Sequence, residues 1–513
     1  MTKKTKGVIA AGHGKTAEAG RLILEEGGNA FDAAIACTLS AFVVESTLTS
    51  AAGGGFCLAH TADKGNVVFD FFSQTPRRKK PLSEIDFYAV DLDFGGQLQS
   101  FHIGLGSIAL PGNLAGLFEV HKNLGRLPLK IVAQPAIDYA QNGFVVDPFQ
   151  SFCYQLLEPI LLAFPEGKKV YAPQGKLLGK GDTCYMKDFA ASLSLLLEIG
   201  IQEFYHGYFA HKLAKDCQEL GGYITLEDMT NYRVIIRKPL ETNYRGYTLL
   251  TNPPPSSGGA LIAFALRLLE TADLTKIEFG SAEHLELLAE VMKSTNEARK
   301  DGYDKNIYQP DVAEIFLADE HLQKYQLNKW GSTTHISVMD EDGNAASVTT
   351  SNGEGSSYII PSTGIMLNNM LGEADLNPLG FHQWECDRRI SSMMSPTIIL
   401  KDGQPQVVLG SGGSNRIRTA ILQVISNLID FGQSVKEAVE SPRVHWENNT
   451  FSVEPPHRRS EIDRLKLPVL TERVLWEKQN MFFGGVNGVS RKSDGEFEGA
   501  GDPRRAGVRA FST

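Results

Sequence analysis

A layered α+β protein, with antiparallel sheet packed between helices, is the fold class this sequence predicts. Two observations carry that expectation. Period-two apolar runs occur in pairs joined by tight Asp-Gly turns, the pattern of β-hairpins. Helical stretches, some amphipathic and some apolar all round, stand in blocks before and between those pairs. No internal repeat or low-complexity tract interrupts the order.

Taken in order, residues 16–26 read as an amphipathic helix: Ala19, Leu22, Ile23 and Glu26 follow the three-four spacing, and Gly27-Gly28 ends it. Asn29 can cap a second helix whose Ala30, Phe31, Ala33, Ala34 and Ile35 leave no polar face, so it is expected to be buried. The stretch TSAAGGGF (49–56) reads as a glycine turn entering a strand at 57–60, with a further strand at 66–72 closed by Pro76 and the basic loop RRKK (77–80). Between about 110 and 240 the pattern is mostly helical, including a helix at 113–123. PPPSSGG (253–259) is a rigid turn feeding a helix from Ala260, and 282–302 reads as one long helix. A polar connector at 324–332 precedes a change of register at 333. Runs at 334–339 and 345–350 frame a hairpin around DEDGN, and 398–401 with 406–409 frame a second around Asp402-Gly403. A helix at 416–431 follows.

The chain has 513 residues, enough for two domains or one large one, with 42% apolar and 21% charged residues, as in globular proteins. A net charge of −10 argues against nucleic-acid and anionic-membrane partners, which attract basic surfaces. The six cysteines (37, 57, 153, 184, 217 and 386) are scattered without a C-x-x-C pair, so free thiols are expected rather than a disulfide scaffold or a zinc site. The basic N-terminus is followed by an apolar run too short for a signal peptide, and no stretch approaches 18 apolar residues. A cytoplasmic protein is the expectation.

Three short motifs are set aside. Gly14-Lys15-Thr16 lacks the earlier glycine of a phosphate loop, because Ile9 stands there. The acidic turn at 340–344 lacks the downstream ligands of a calcium loop and has the composition hairpin turns favour. His206 and His211 are five apart and do not share a helix face as i,i+4 zinc ligands would.

The informative stretch runs from Gly331 to Asn352, GSTTHISVMDEDGNAASVTTSN, accompanied downstream by SSMM (391–394) and GSGGSN (410–415). With EEGGNAFDAAIA (25–36), AAGGGF (51–56), the block at 110–146, YRGYTLLTNPPPSSGG (244–259), ISSMMSPTI (390–398), GSGGSNRI (410–417) and DPRR (502–505), these make the chain resemble the γ-glutamyltranspeptidase family over nearly its whole length. The resemblance implies a four-layer αββα N-terminal-nucleophile hydrolase. It implies a precursor that cuts itself before Thr333 into fragments 1–332 and 333–513. The two stay together noncovalently and interleave in one globular domain, and the processed pair could form a homodimer. It implies γ-glutamyl transfer or glutathione hydrolysis on a small amide or peptide, with no metal or organic cofactor.

The chemistry is consistent on these residues. The hydroxyl of Thr333 would attack the preceding carbonyl, and hydrolysis of the ester would free its own α-amine. Such an amine has a reference pKa of roughly 7.7–8.0, so it can take the hydroxyl proton at neutral pH and activate the alcohol that follows it. By resemblance, Gly413 and Ser414 supply the oxyanion hole, and Ser351 stands where the family has a second Thr bonded to the nucleophile. Ser391 and Ser392 match the pair that binds the substrate α-carboxylate, and Glu373 matches the acid that binds the α-amino group. The pattern departs at DFFSQTP (70–76): Phe72 occupies the position of the carboxylate-clamping Arg, and Ser73 that of the following acid. A bidentate Arg contact carries energy and geometry, so Phe72 points to a more apolar acyl pocket. Arg77 or Arg78 could replace the lost Arg only if their loop folds back. Gly353 stands at the family's Asn. The segment between Glu373 and Ser391 is shorter than in members with a lid loop, which favours larger donors and access of water. Two other readings stay open: an amidase of non-glutamyl substrates, and an unprocessed binding homologue.

Overall fold

The computed structural model describes residues 5–93, 98–318, 333–377, 379–468 and 471–513. The connector at 324–332, including Ser332 and hence one side of the bond before Thr333, lies outside the described residues.

Two antiparallel sheets face one another. The first has seven strands in the order Val508–Ser512, Gly7–Ala11, Thr334–Asp340, Ala345–Ser351, Gly54–Thr61, Gly65–Phe71 and Ile235–Arg237. The second has six: Phe497–Ala500, Gly485–Arg491, Gln404–Gly412, Thr397–Lys401, Tyr247–Thr251 and Leu240–Tyr244. Helices Gly14–Glu25 and Ala30–Val44 cover the outer face of the first sheet, and Ser257–Glu270 with Arg416–Ile429 cover that of the second. The result is an αββα stack. Both sheets contain strands from before and after Thr333: they are intermixed in the first, and in the second four strands from after Thr333 adjoin two from before it.

Along the buried strands, successive residues go to different cores, as a period of two requires. Ile9 and Ala11 join the cluster under the first helical layer, whereas Val8 and Ala10 join the cluster between the sheets and the second layer. The all-apolar helix is Ala30–Val44, buried along its whole length and started by an Asn29–Asp32 capping box.

Three element boundaries differ from the sequence expectation. Of the three glycines of AAGGGF, Gly54 and Gly55 belong to the strand Gly54–Thr61 and only Gly53 lies in the bend before it. A Cβ on Gly55 would lie 2.4 Å from the Thr349 carbonyl oxygen, and one on Gly54 2.6 Å from the Ser73 nitrogen, so close strand approach demands them. The helix after the proline turn begins at Ser257 rather than Ala260, and its Gly258 packs closely on Met393, where a Cβ would lie 2.1 Å from the carbonyl oxygen. The long helix stops at Ala298 and continues as a π-turn, Arg299–Tyr303. The six cysteines are free, five of them buried and Cys386 exposed. Among the described residues, no helix is long and apolar enough to cross a membrane.

Candidate active site

Thr333 sits at the entrance of the strand Thr334–Asp340 and is buried. Alternation divides the start of this strand between two environments. Thr334 turns to the helical layer, where its hydroxyl donates to Glu45 at 2.7 Å. His335 turns to the second sheet, against Gly410, where a Cβ would lie 2.3 Å from the imidazole. Thr333 shares the parity of His335 and so faces the second sheet. The ladder pairs Thr334 with Thr350, which places Thr333 opposite Ser351 at the next step. Ser351 Oγ accepts the Gly353 N–H at 2.9 Å.

His335 is the imidazole nearest in sequence to Thr333, and it is not placed to serve as a base. Its Nδ1 is 2.7 Å from Thr349 Oγ1 and its Nε2 2.9 Å from Ser337 Oγ, so both nitrogens are committed. Burial pushes its pKa down to about 3, which keeps it neutral.

The second wall is the turn between the strand Gln404–Gly412 and the helix Arg416–Ile429. A Cβ on Gly412 would lie 2.0 Å from the Thr333 carbonyl oxygen, which fixes how closely the two sheets meet here. Gly413 and Ser414 both have positive φ, +117° and +55°. The helix then closes on them through Arg416 N–H to Gly413 O and Ile417 N–H to Ser414 O. Gly413 and Ser414 thus directly follow Gly412, the residue pressed against the Thr333 carbonyl. Ser414 Oγ donates to the Asp375 carboxylate.

Glu373 is buried and lies against Gly353, where a Cβ would come within 2.0 Å of its Oε1. This close contact, together with a φ of +61°, suits a residue without a Cβ at 353. Burial, then Glu354 and Asp375, push the Glu373 carboxyl well above the carboxylate range. Glu373 therefore reaches Ser351 through Gly353, while Asp375 ties the same segment to the glycine turn.

Ser391 and Ser392 lie against the start of the Ser257–Glu270 helix: Ser391 Oγ is 3.1 Å from Ser257 Oγ, and the Ser392 carbonyl accepts from Ser256 Oγ and the Ser257 N–H, both at 2.8 Å. Phe72 is fully buried and its ring stacks on Phe56 at 5.4 Å. Its carbonyl accepts from Tyr232 Oη at 2.8 Å and from Arg389. Ile390 N–H donates to Ser73 O at 3.0 Å, which draws the Phe72 segment alongside Ser391. The basic loop does not fold back: Arg77 pairs with Asp387 at 3.1 Å and Arg78 with Glu227 at 3.0 Å. The segment after Glu373 is pinned to residues 74–76 by Thr75 N–H to Arg388 O, Asp387 N–H to Pro76 O and Thr75 Oγ1 to Glu385 O.

Sequence reasoning missed three residues here. Asp375, two positions after Glu373, carried no motif of its own. Glu45 is hidden in an apolar helix end. Arg505 belongs to DPRR, which was legible as a block but not as a role. Its buried guanidinium lies 3.5 Å from the Thr333 carbonyl oxygen and against Gly413. Arg504 beside it is locked by Glu454 and Asp502, and Arg443 holds Asp502 at 2.7 Å.

Asp375 makes a prediction. Burial pushes its carboxyl up to about 7 despite the Ser414 hydrogen bond, which favours the ionised form. A carboxyl raised above its unfolded value of roughly 3.9 keeps a proton that the unfolded chain has lost. Its contribution to stability is complete below about pH 4 and is lost as pH rises through about 7. Asp375→Asn stays neutral throughout. Thermal unfolding of the variant across that range should therefore fall less with pH than the parent's; parallel curves would refute the assignment.

Comparisons with known proteins identify the family and the fold. The sequence profile described as Gamma-glutamyltranspeptidase matches residues 16–512. The chain is 33% identical to the glutathione hydrolase proenzyme of Escherichia coli (strain K12), over 97% of this chain and 90% of the relative. It is also 33% identical to the acylase ACY 1 proenzyme of Pseudomonas sp. (strain SE83), over 97% of this chain and 92% of that one. In fold it is similar to the cephalosporin acylase from Bacillus halodurans, with a TM-score of 0.81 at 24% identity, covering 99% of this chain and 96% of that one. A committed, neutral His335 beside a buried strand-leading threonine, facing a glycine turn between two sheets, is thus carried on an N-terminal-nucleophile hydrolase fold, and the chain belongs to the γ-glutamyltranspeptidase family of enzymes.

Proposed function

We propose that this chain is a precursor that cuts itself before Thr333 and then uses Thr333 as the nucleophile of an amidohydrolase and acyltransferase. The products would be fragments 1–332 and 333–513, interleaved in one globular body. The observation that carries the reading is the state of His335. A threonine hydroxyl needs a base, and the adjacent imidazole is neutral with both nitrogens occupied. The α-amine that cleavage would release on Thr333 itself fills that role. Thr333 Oγ attacks the amide carbonyl and its proton passes to the amine. Gly413 and Ser414 N–H groups receive the oxyanion. The amine then protonates the departing nitrogen, and water or an amine takes the acyl group from Thr333.

For the donor, we propose a γ-glutamyl or related amide such as glutathione, its amino group received by Glu373, with Ser391 and Ser392 on the carboxylate side. A second reading has one specific observation in its favour. Phe72 is buried against Phe56, and Arg77 and Arg78 pair with Asp387 and Glu227 rather than standing in for a carboxylate-clamping Arg. An acylase of non-glutamyl amides accords with that apolar surrounding. Two measurements separate the readings. On a denaturing gel the purified protein should run as two bands, the smaller beginning at Thr333; one lasting full-length band without amidase activity would leave a non-catalytic homologue. Turnover of γ-glutamyl-anilide against neutral acyl anilides then decides the donor. Faster turnover of the neutral series makes Phe72 a specificity switch, whereas a strong γ-glutamyl preference means another cation has taken the Arg's place.

A further inference from the structure

Glu45 is a buried titratable group near Thr333 to which the chemistry above gives no task. It ends the apolar helix Ala30–Val44 and is fully buried. A bare acid in such a place is costly unless hydrogen bonded, and its two oxygens are divided between two elements. Oε1 accepts from Thr16 Oγ1 at 2.6 Å, in the helix Gly14–Glu25, and Oε2 accepts from Thr334 Oγ1 at 2.7 Å. Gly12 leaves room for this: a Cβ there would lie 2.3 Å from Oε2 and 3.0 Å from Thr334 Oγ1. The turn that Glu45 begins is itself closed, by Leu48 N–H at 2.8 Å and Thr49 N–H at 3.2 Å to the Glu45 carbonyl. Thr49 then donates to Thr350 Oγ1 at 2.9 Å.

Thr334 and Thr350 are partners across the ladder. They form the last pair before Thr333 and Ser351. We infer that the turn from Glu45 to Thr49 is a clamp that grips both members of this pair from the helical layer and so positions Thr333 on the opposite face. Glu45 is a positioning residue, acting through Thr334 without touching substrate. Strand ends fray when nothing holds their side chains, and displacement of a reacting atom by about 1 Å can cost around 10²-fold in rate. The clamp sets the threonine hydroxyl against the glycine turn both in the uncut chain and in the acylation step. This inference rests on Thr333 being the nucleophile.

The test is a double-mutant cycle on the full chain, with kcat, KM and the rate of self-cleavage measured for Glu45→Leu, Glu45→Gln, Thr334→Val and Glu45→Leu with Thr334→Val. Glu45→Leu and Thr334→Val should each lower kcat and the cleavage rate by about tenfold or more, with KM little changed. The pair together should be no slower than the slower single variant, because both remove one contact. Glu45→Gln keeps an acceptor and should recover most of the loss. Thr334→Val is nearly isosteric and covers the case in which Glu45→Leu does not fold. Effects that multiply in the pair, or a Glu45→Gln variant as slow as Glu45→Leu, would overturn the clamp. A wild-type chain that neither cuts itself nor turns over an amide would instead overturn the assignment of Thr333.

Discussion

Thr333→Ala should remain a single full-length chain and turn over no amide above background. The variant loses the oxygen that attacks the preceding carbonyl, so no ester forms and no new N-terminus appears. It also loses the oxygen that would form the acyl-enzyme. Removing a nucleophile from an otherwise intact site costs on the order of 10⁴–10⁶ in kcat, which here is indistinguishable from zero because the base would be missing as well. Thr333 is small and stands at a strand entrance, so the fold should survive, with an unchanged far-ultraviolet spectrum and a melting temperature within a few degrees. Thr333→Ser keeps the hydroxyl and should cut itself and react, at a reduced rate. A Thr333→Ala chain that still separates into two fragments on a denaturing gel would place the cut, and the nucleophile, elsewhere.

Gly413→Ala is expected to have the next largest effect. At φ +117° an alanine is strained whatever the space, and the space is absent: its Cβ would lie 2.9 Å from the Gly484 Cα and 3.2 Å from Arg505 Nη2. Gly484 is itself held at φ +81° and its N–H is bonded to the Met481 carbonyl, so the neighbouring backbone cannot yield cheaply. The turn must rotate, and the N–H groups of 413 and 414 lose their aim. One misplaced oxyanion donor costs about 10²–10³ in kcat. The loss should appear in kcat more than in KM, because the donors grip the transition state more than the substrate. Self-cleavage should slow with it, since that step builds charge on a carbonyl oxygen too. A Gly413→Ala variant with parental kcat would show that the turn only joins the strand to the helix.

Much of this molecule was legible before any coordinates. The hairpin at Thr334–Asp340 and Ala345–Ser351 follows from alternation and a DEDGN turn, and the buried helix Ala30–Val44 from the absence of a polar face behind a capping Asn29. The motifs around Thr333, Ser351, Glu373, Gly413 and Ser414 were legible as a family pattern; in the fold Glu373 lies against Gly353, Gly412 against the Thr333 carbonyl, and Arg505 between Thr333 and Gly413. Glycine was misread where it serves close approach rather than turning: Gly54 and Gly55 are strand residues pressed against Ser73 and Thr349. Local sequence cannot tell these uses apart, because the clashing atom lies far along the chain.

What the sequence determined by itself is the central hairpin, the buried helix behind it, the family and the identity of the threonine that leads that hairpin, since these depend on local periodicity and contiguous motifs; the strands Gly7–Ala11, Gly485–Arg491, Phe497–Ala500 and Val508–Ser512 were not read from it. What only the tertiary structure decided is how that threonine is surrounded. Its carbonyl meets Gly412 and Arg505, the histidine two residues on is neutral and engaged, Asp375 holds Ser414, and Glu45 holds Thr334. Apart from the His335–Ser337 hydrogen bond, these contacts join residues from fourteen to hundreds of positions apart, and their energies depend on burial, which exists only once the two sheets and their helices have closed on one another.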